Sequence, residues 1–132
     1  MNQHGLCTVA KRDFLSGVHQ PGDRYMLALF DANAGLSPAT ATYDQKGEVE
    51  GKSYRPGGMQ LRNPKIWMDD NSAYLTFDSV RWVNSTITAH AALIYNASKG
   101  NKAIAVLDFG GAYTSTVGDF FLNIPADCIC FV

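Results

Sequence analysis

Charge is scarce in this chain, and what there is nearly cancels. Only 17% of the 132 residues are Asp, Glu, Lys or Arg, and eleven basic against twelve acidic side chains leave a net charge of −1. No basic field exists to recruit nucleic acid. Long apolar runs are missing too: none approaches the roughly 20 residues that a membrane-spanning helix requires. The opening MNQHGLCTVAKRD lacks an apolar segment behind a basic one. It therefore does not read as a signal peptide, and synthesis in the cytoplasm is expected. Cysteine is sparse and odd in number, with Cys7, Cys128 and Cys130 the only three. A Cys-x-Cys disulfide would be strained, so these are expected to be reduced thiols behaving as small apolar side chains. His4, His19 and His90 have no spacing that would complete a metal site with them.

Complete catalytic motifs are also lacking. The stretch Ser98-Lys99-Gly100-Asn101-Lys102-Ala103 hints at a phosphate loop, but it has one glycine and no hydroxyl after Lys102. The segment after it is apolar and β-prone where a phosphate loop would open a helix. Gly100-Asn101 between apolar runs instead signals a hairpin turn, because both residues tolerate positive φ. Asp69 and Asp70 are adjacent and would point apart, unlike a glycosidase acid pair. Glu48 and Glu50 would share one face of a short, charge-protected edge strand. No Gly-x-Ser-x-Gly elbow occurs, and His90 within a run of alanines is expected to be packed and hydrogen-bonded. Trp67, Trp82, Tyr74 and Phe77 could line a sugar-binding face or serve as core.

What is present is alternation and punctuation. Hydrophobic residues make up 46% of the chain, and twelve glycines with five prolines imply many turns. Residues 1–24 are the least regular and read as an N-terminal arm, with one helical turn in 11–18 and a Pro-Gly turn at 19–23. A short helix could begin at Ser37-Pro38. Strand signals follow at 25–30, 48–50, 65–68, 73–77, 86–95, 103–109, 120–124 and 128–132, with a turn at 69–72 and residues 79–84 as strand or connection. The expected fold is all-β, an antiparallel β-sandwich or jelly-roll-like barrel spanning 25–132 as a single domain behind the irregular arm. Apolar strands, many turns and sparse charge suit a protein that packs against others.

Several blocks give the chain a resemblance to small structural proteins of tailed bacteriophages, the capsid decoration (cement) and minor virion proteins. They are PheLeuSerGlyValHis (14–19), Asp23, TyrMetLeuAlaLeuPhe (25–30), GlyGluVal (47–49), TyrArgProGlyGly (54–58) and AlaTyrLeuThrPheAsp (73–78). The most specific are AlaLeuIleTyrAsn (92–96) and GlyAsnLysAlaIleAlaValLeuAspPheGly (100–110). The resemblance implies a β-rich virion protein on the capsid surface, made in the bacterial host cytoplasm and acting without enzymatic activity or cofactor. It implies binding between subunits of the major capsid protein, self-association as a homotrimer, and neither nucleic-acid nor membrane partners. Cys128 and Cys130 depart from the family pattern.

Two segments are the candidate partner contacts. One is the arm with Lys11, Arg12 and Phe14. The other is the apolar terminal strand Cys128, Ile129, Cys130, Phe131 and Val132, which would aggregate if left uncovered and could pair across a subunit boundary. Alternatives are a tail- or fibre-associated virion protein, or a carbohydrate-binding jelly-roll module.

Overall fold

A computed structural model describes residues 2–131. Its organising element is a long antiparallel hairpin. Strand β6 (Val80–Asn96) runs against β7 (Lys102–Leu122), joined through a 3₁₀ turn at Ala97–Lys99. Gly100 and Asn101 complete the turn at φ 67° and 60°, the left-handed conformation that the sequence demands there. The turn is longer than a two-residue hairpin because Asn96 caps the 3₁₀ segment, its side-chain oxygen accepting from Ser98 N–H at 3.0 Å.

Around this hairpin lie β1 (Gly5–Leu6), β2 (Tyr25–Phe30) and β3 (Met59–Gln60), giving one sheet in the order β1-β7-β6-β2-β3. A second antiparallel sheet combines β4 (Lys65–Met68), β5 (Ala73–Thr76) and β8 (Ile129–Phe131) in the order β4-β5-β8. The fold is all-β, as the strand pattern predicts, but neither sheet closes into a barrel. One helix, α1 (Thr8–Leu15), packs near β7.

Burial divides the hairpin. In the half near the turn, residues 91–96 and 103–107 are all buried, so both faces of the sheet are covered. Leu93, Ile94, Ile104 and Val106 are fully buried there, together with Leu27 and Leu29 of β2. Each such side chain contributes about 1.5–3 kcal/mol relative to exposure. In the far half Trp82, Ser85, Ile87 and Ala89 are buried while Val83, Thr86 and Thr88 are exposed, so only one face is covered.

The sequence predicts separate strands at 103–109 and 120–124, whereas the structure runs them into the single strand β7. The intervening glycines do not end it, because irregularities of register absorb them. The pairing shifts between Ala89 and Ala91 and around Ser85, where Ser85 stands opposite Gly118. At that second bulge Ser85 Oγ is fully buried, 2.8 Å from Ser115 Oγ, 2.9 Å from Gly118 O and 3.0 Å from Trp82 O. These contacts satisfy polar groups that the interrupted ladder leaves free.

Residues 2–24 are woven into the same body. β1 pairs with Val106 and Ala105 of β7, and Cys7 and Ala10 are fully buried in the common core. Asn2 bridges Asp31 O and Leu36 N–H, each at 2.9 Å. The helix is two turns starting at Thr8, rather than one turn in 11–18, with Gly17 just beyond its end at φ 75°. No helix forms at Ser37-Pro38: a turn closes there, with Thr40 N–H donating to Ser37 O at 2.9 Å.

Two glycines at positive φ should respond differently to alanine. A Cβ on Gly58 would lie 1.9 Å from Leu27 O of the neighbouring strand, whereas one on Gly100 would meet nothing. Gly58→Ala should destabilise by roughly 3 kcal/mol or more through strain plus collision, and Gly100→Ala by about 1–2 kcal/mol from its left-handed backbone alone. Chemical denaturation of the two variants checks the order.

Candidate functional site

The turn that suggested phosphate binding is occupied by its own structure. Lys99 Nζ sits 2.9 Å from both Asp23 carboxylate oxygens. Asp23 also accepts from Asn96 Nδ2 at 2.8 Å and Gln20 N–H at 3.0 Å. Burial pushes the Asp23 carboxyl up, but the Asn96, Lys99 and Gln20 hydrogen bonds outweigh it and hold the group at about 2, against an ordinary 3.8. Asn96 Nδ2 reaches His19 Nδ1 at 2.9 Å as well. The Asn96 oxygen is committed to Ser98, so His19 Nδ1 accepts and its proton resides on Nε2. Burial lowers the His19 pKa below its usual 6.5, against the raising effect of Asp13 and Asp23. This cluster ties residues 19–24 to the hairpin turn.

Glu48 is not a solvated edge residue. Its carboxylate accepts from Tyr43 Oη at 2.5 Å, from Tyr54 Oη and from Gly57 N–H at 2.8 Å. Tyr54 Oη in turn accepts from Leu29 N–H at 2.9 Å, and Tyr95 Oη donates to Gly57 O at 2.6 Å. Burial, reinforced by Glu48, drives the Tyr43 and Tyr54 phenols well above their ordinary range, and burial drives Tyr95 up to about 12. The Tyr43 and Tyr54 phenols remain hydrogen-bond donors to the Glu48 carboxylate, which is satisfied on both oxygens, and Tyr95 remains a donor to Gly57 O. An open cleft of about 660 Å³ beside Glu48 is lined by Asp31 and Glu50 with Thr86, Thr88, Thr114 and Thr116. His90 is half-buried, and its Nδ1 has no hydrogen-bond partner among the described residues, where a satisfied core histidine was expected. No three His, Cys, Asp or Glu side chains among the described residues converge on a possible metal position.

The surface that stands apart is the small sheet. Register places Ile66, Leu75 and Ile129 in one row across the three strands, and Met68, Ala73 and Phe131 in the next. Strand alternation puts all six on one face, which is wholly apolar. Trp67, Tyr74 and Cys130 form the row between them on the opposite face. There Trp67 stacks on Tyr74 with ring centroids 4.0 Å apart.

Only part of the apolar face is covered. Ile129 is fully buried and Leu75 half-buried, but Ile66 and Met68 are 71% and 80% exposed. Every residue of β4 is exposed, and β4 is an edge strand with nothing among the described residues paired beyond it. An uncovered apolar edge is the arrangement that soluble monomers avoid.

The terminal strand, a candidate partner contact, pairs on one side with its own chain and forms the other edge of the small sheet. β8 lies against β5, with Tyr74 opposite Cys130. Ile129 faces the core, Cys130 and Phe131 are half-buried, and Val132 lies outside the described residues. Burial, with the Asp127 charge, raises the Cys128 thiol to about 12, and burial raises Cys7 to about 11, so neither ionises near neutrality.

The structure brings the two candidate segments together through Phe14, whose ring meets Phe131 at 5.5 Å. Lys11 and Arg12 remain exposed on α1, with Arg12 Nε 3.2 Å from Asp13. Exposed Ile66 and Met68, on either side of Trp67, are the additions that the sequence pattern did not single out. Their strand was legible as KIWM, but its place at an edge depends on how three distant segments line up. Of the two tryptophans, only Trp67 can face solvent. Trp82 is buried against Phe120 and Tyr54.

Ile129→Ala should cost about 2–5 kcal/mol of stability, as a buried truncation does. Phe131 is only half-buried, so Phe131→Ala should cost less; urea denaturation compares them. On acidification, stability should decline first below pH 6.5 as the unfolded state takes up a proton that buried His19 refuses. It should fall again from pH 4 toward 2, through the depressed carboxyl of Asp23. Asp23→Asn should lack the second decline in denaturation curves measured across that range. No family model, no curated protein and no solved structure matches the chain.

Proposed function

We propose that this protein is a structural component of a tailed-phage virion, a capsid decoration (cement) protein. It binds between major capsid subunits and stabilises the head by binding alone, as the resemblance in residues 92–96 and 100–110 implies. The observation that carries the binding reading is the fully exposed edge strand Lys65–Met68, with Ile66 and Met68 presented to solvent. Such an edge offers unpaired backbone donors and acceptors together with apolar area, the two requirements for adding a neighbour's strand. Lys11 and Arg12 on the exposed side of α1 supply a polar rim beside Phe14, in keeping with the usual anatomy of an interface.

A carbohydrate-binding reading draws on one feature, the half-exposed Trp67 stacked on Tyr74. The virion reading is preferred because the apolar face behind that stack also needs a cover.

Quantitative mass spectrometry of purified virions from the phage carrying this gene tests the proposal. A copy number approaching that of the major capsid protein is the expected result. A few copies per particle would assign the chain to the tail instead. Its absence from virions, with glycan-array binding that disappears in Trp67→Ala, would replace the proposal with the carbohydrate reading.

A further inference from the structure

We propose that β4 is a self-association edge: two copies of this chain pair their Lys65–Met68 strands antiparallel about a two-fold axis at Trp67. The inference does not depend on the virion reading.

Backbone direction comes first. Asp69 N–H donates to Ser72 O at 3.0 Å across the turn between β4 and β5. Antiparallel ladders alternate hydrogen-bonded and non-hydrogen-bonded pairs. Counting back from that bond, Trp67↔Tyr74 and Lys65↔Thr76 spend their N–H and C=O groups on β5. Ile66 and Met68 therefore direct theirs outward, at the open edge. A second strand can bond only to those two residues, which limits the possible registers.

Side chains select among them. With Trp67 opposite its own copy, Ile66 of each chain faces Met68 of the other, and both outward-directed residues are used. In the same register Lys65 stands opposite Asp69 of the second copy, and this happens on both sides of the axis. A strand with a cation at one end and a carboxylate at the other is self-complementary when reversed. Registers shifted by two residues in either direction lose one of the outward pairs and the charge match.

The groups concerned are free to do this. Lys65 Nζ is 3.9 Å from Asp78 and largely exposed, a loose contact of little energetic weight. Asp69 accepts one exposed hydrogen bond from Tyr74 Oη at 2.9 Å, leaving further acceptor capacity. Pairing covers Ile66 and Met68 and makes one continuous six-stranded sheet, β8-β5-β4 joined to its symmetry copy. The contact is isologous and closes at two chains, in place of the three-fold expected from the resemblance.

Sedimentation equilibrium of the wild-type protein at about 0.1 mM, where a micromolar contact is saturated, should give twice the 14.4 kDa of one chain. Lys65→Asp and Asp69→Lys should each weaken association at least tenfold, and the double variant Lys65→Asp/Asp69→Lys should restore it. Both positions are exposed, so circular dichroism should show folded variants. Trp67→Cys provides a second readout. Non-hydrogen-bonded partners lie about 4.5 Å apart between Cα atoms, within disulfide range. Mild oxidation should therefore produce a cross-linked dimer absent from the identically treated wild type. Cys130 is two strands away on the same face, roughly 9–10 Å distant, and cannot intercept it. A monomeric wild type, a trimeric mass, single reversal variants that associate like the wild type, or a double variant that fails to recover association would overturn the proposal.

Discussion

The pairing of β6 with β7 is the constraint on which everything else depends. Seventeen residues of one strand and twenty-one of the other form a ladder that is fully enclosed at its turn end and one-sided at its far end. The enclosed end makes the core: β2 adds beside β6, β1 beside β7, and Cys7 and Ala10 fall into the same packed volume. Without the hairpin these pieces are short or unpartnered. A two-residue strand such as Gly5–Leu6 has no stability of its own.

Polar side chains hold the hairpin's connections in place. Asp23, Lys99, Asn96 and His19 fix the turn to the loop before β2, and Glu48 gathers two tyrosines and a glycine N–H behind β2. In both clusters the carboxylates that could suggest chemistry are held by neighbours from the same chain, while His19 is tied through Nδ1 alone and its buried Nε2 has no partner among the described residues. Their departures from ordinary pKa values follow from burial and hydrogen bonding in a structural role, a common cause of such shifts outside catalytic sites. The serine pair at Ser85 and Ser115 performs a similar service where the ladder is interrupted.

The small sheet carries the opposite character. Its inner residue, Ile129, is part of the core, while β4 at its far side has an apolar row, a stacked aromatic pair and an unpaired backbone. One sheet thus grades in side-chain burial from β8 to β4 across three strands. β8 contributes buried apolar area to the core, and β4 leaves its own apolar side chains exposed.

Much of the fold was legible in local pattern. The apolar run Tyr25–Phe30, the strand–turn–strand from Lys65 to Phe77, and Gly100-Asn101 at positive φ all follow from propensity and from turn chemistry that nearest neighbours dictate. Local pattern could not say that β7 continues through Gly110, Gly111 and Gly118, because a bulge exists only relative to a partner strand. It misjudged Glu48, whose phenol partners Tyr43 and Tyr54 reach it only through the loop's path. The apolar character of the terminal strand follows from its residues, but that β5 pairs with one side of it and leaves it at a sheet edge is a matter of strand order, which only the tertiary structure decides. The exposure of Ile66 and Met68 belongs to the same class. Amino-acid sequence determines which strands are apolar, and the arrangement of strands in three dimensions decides which apolar strand is left at the edge.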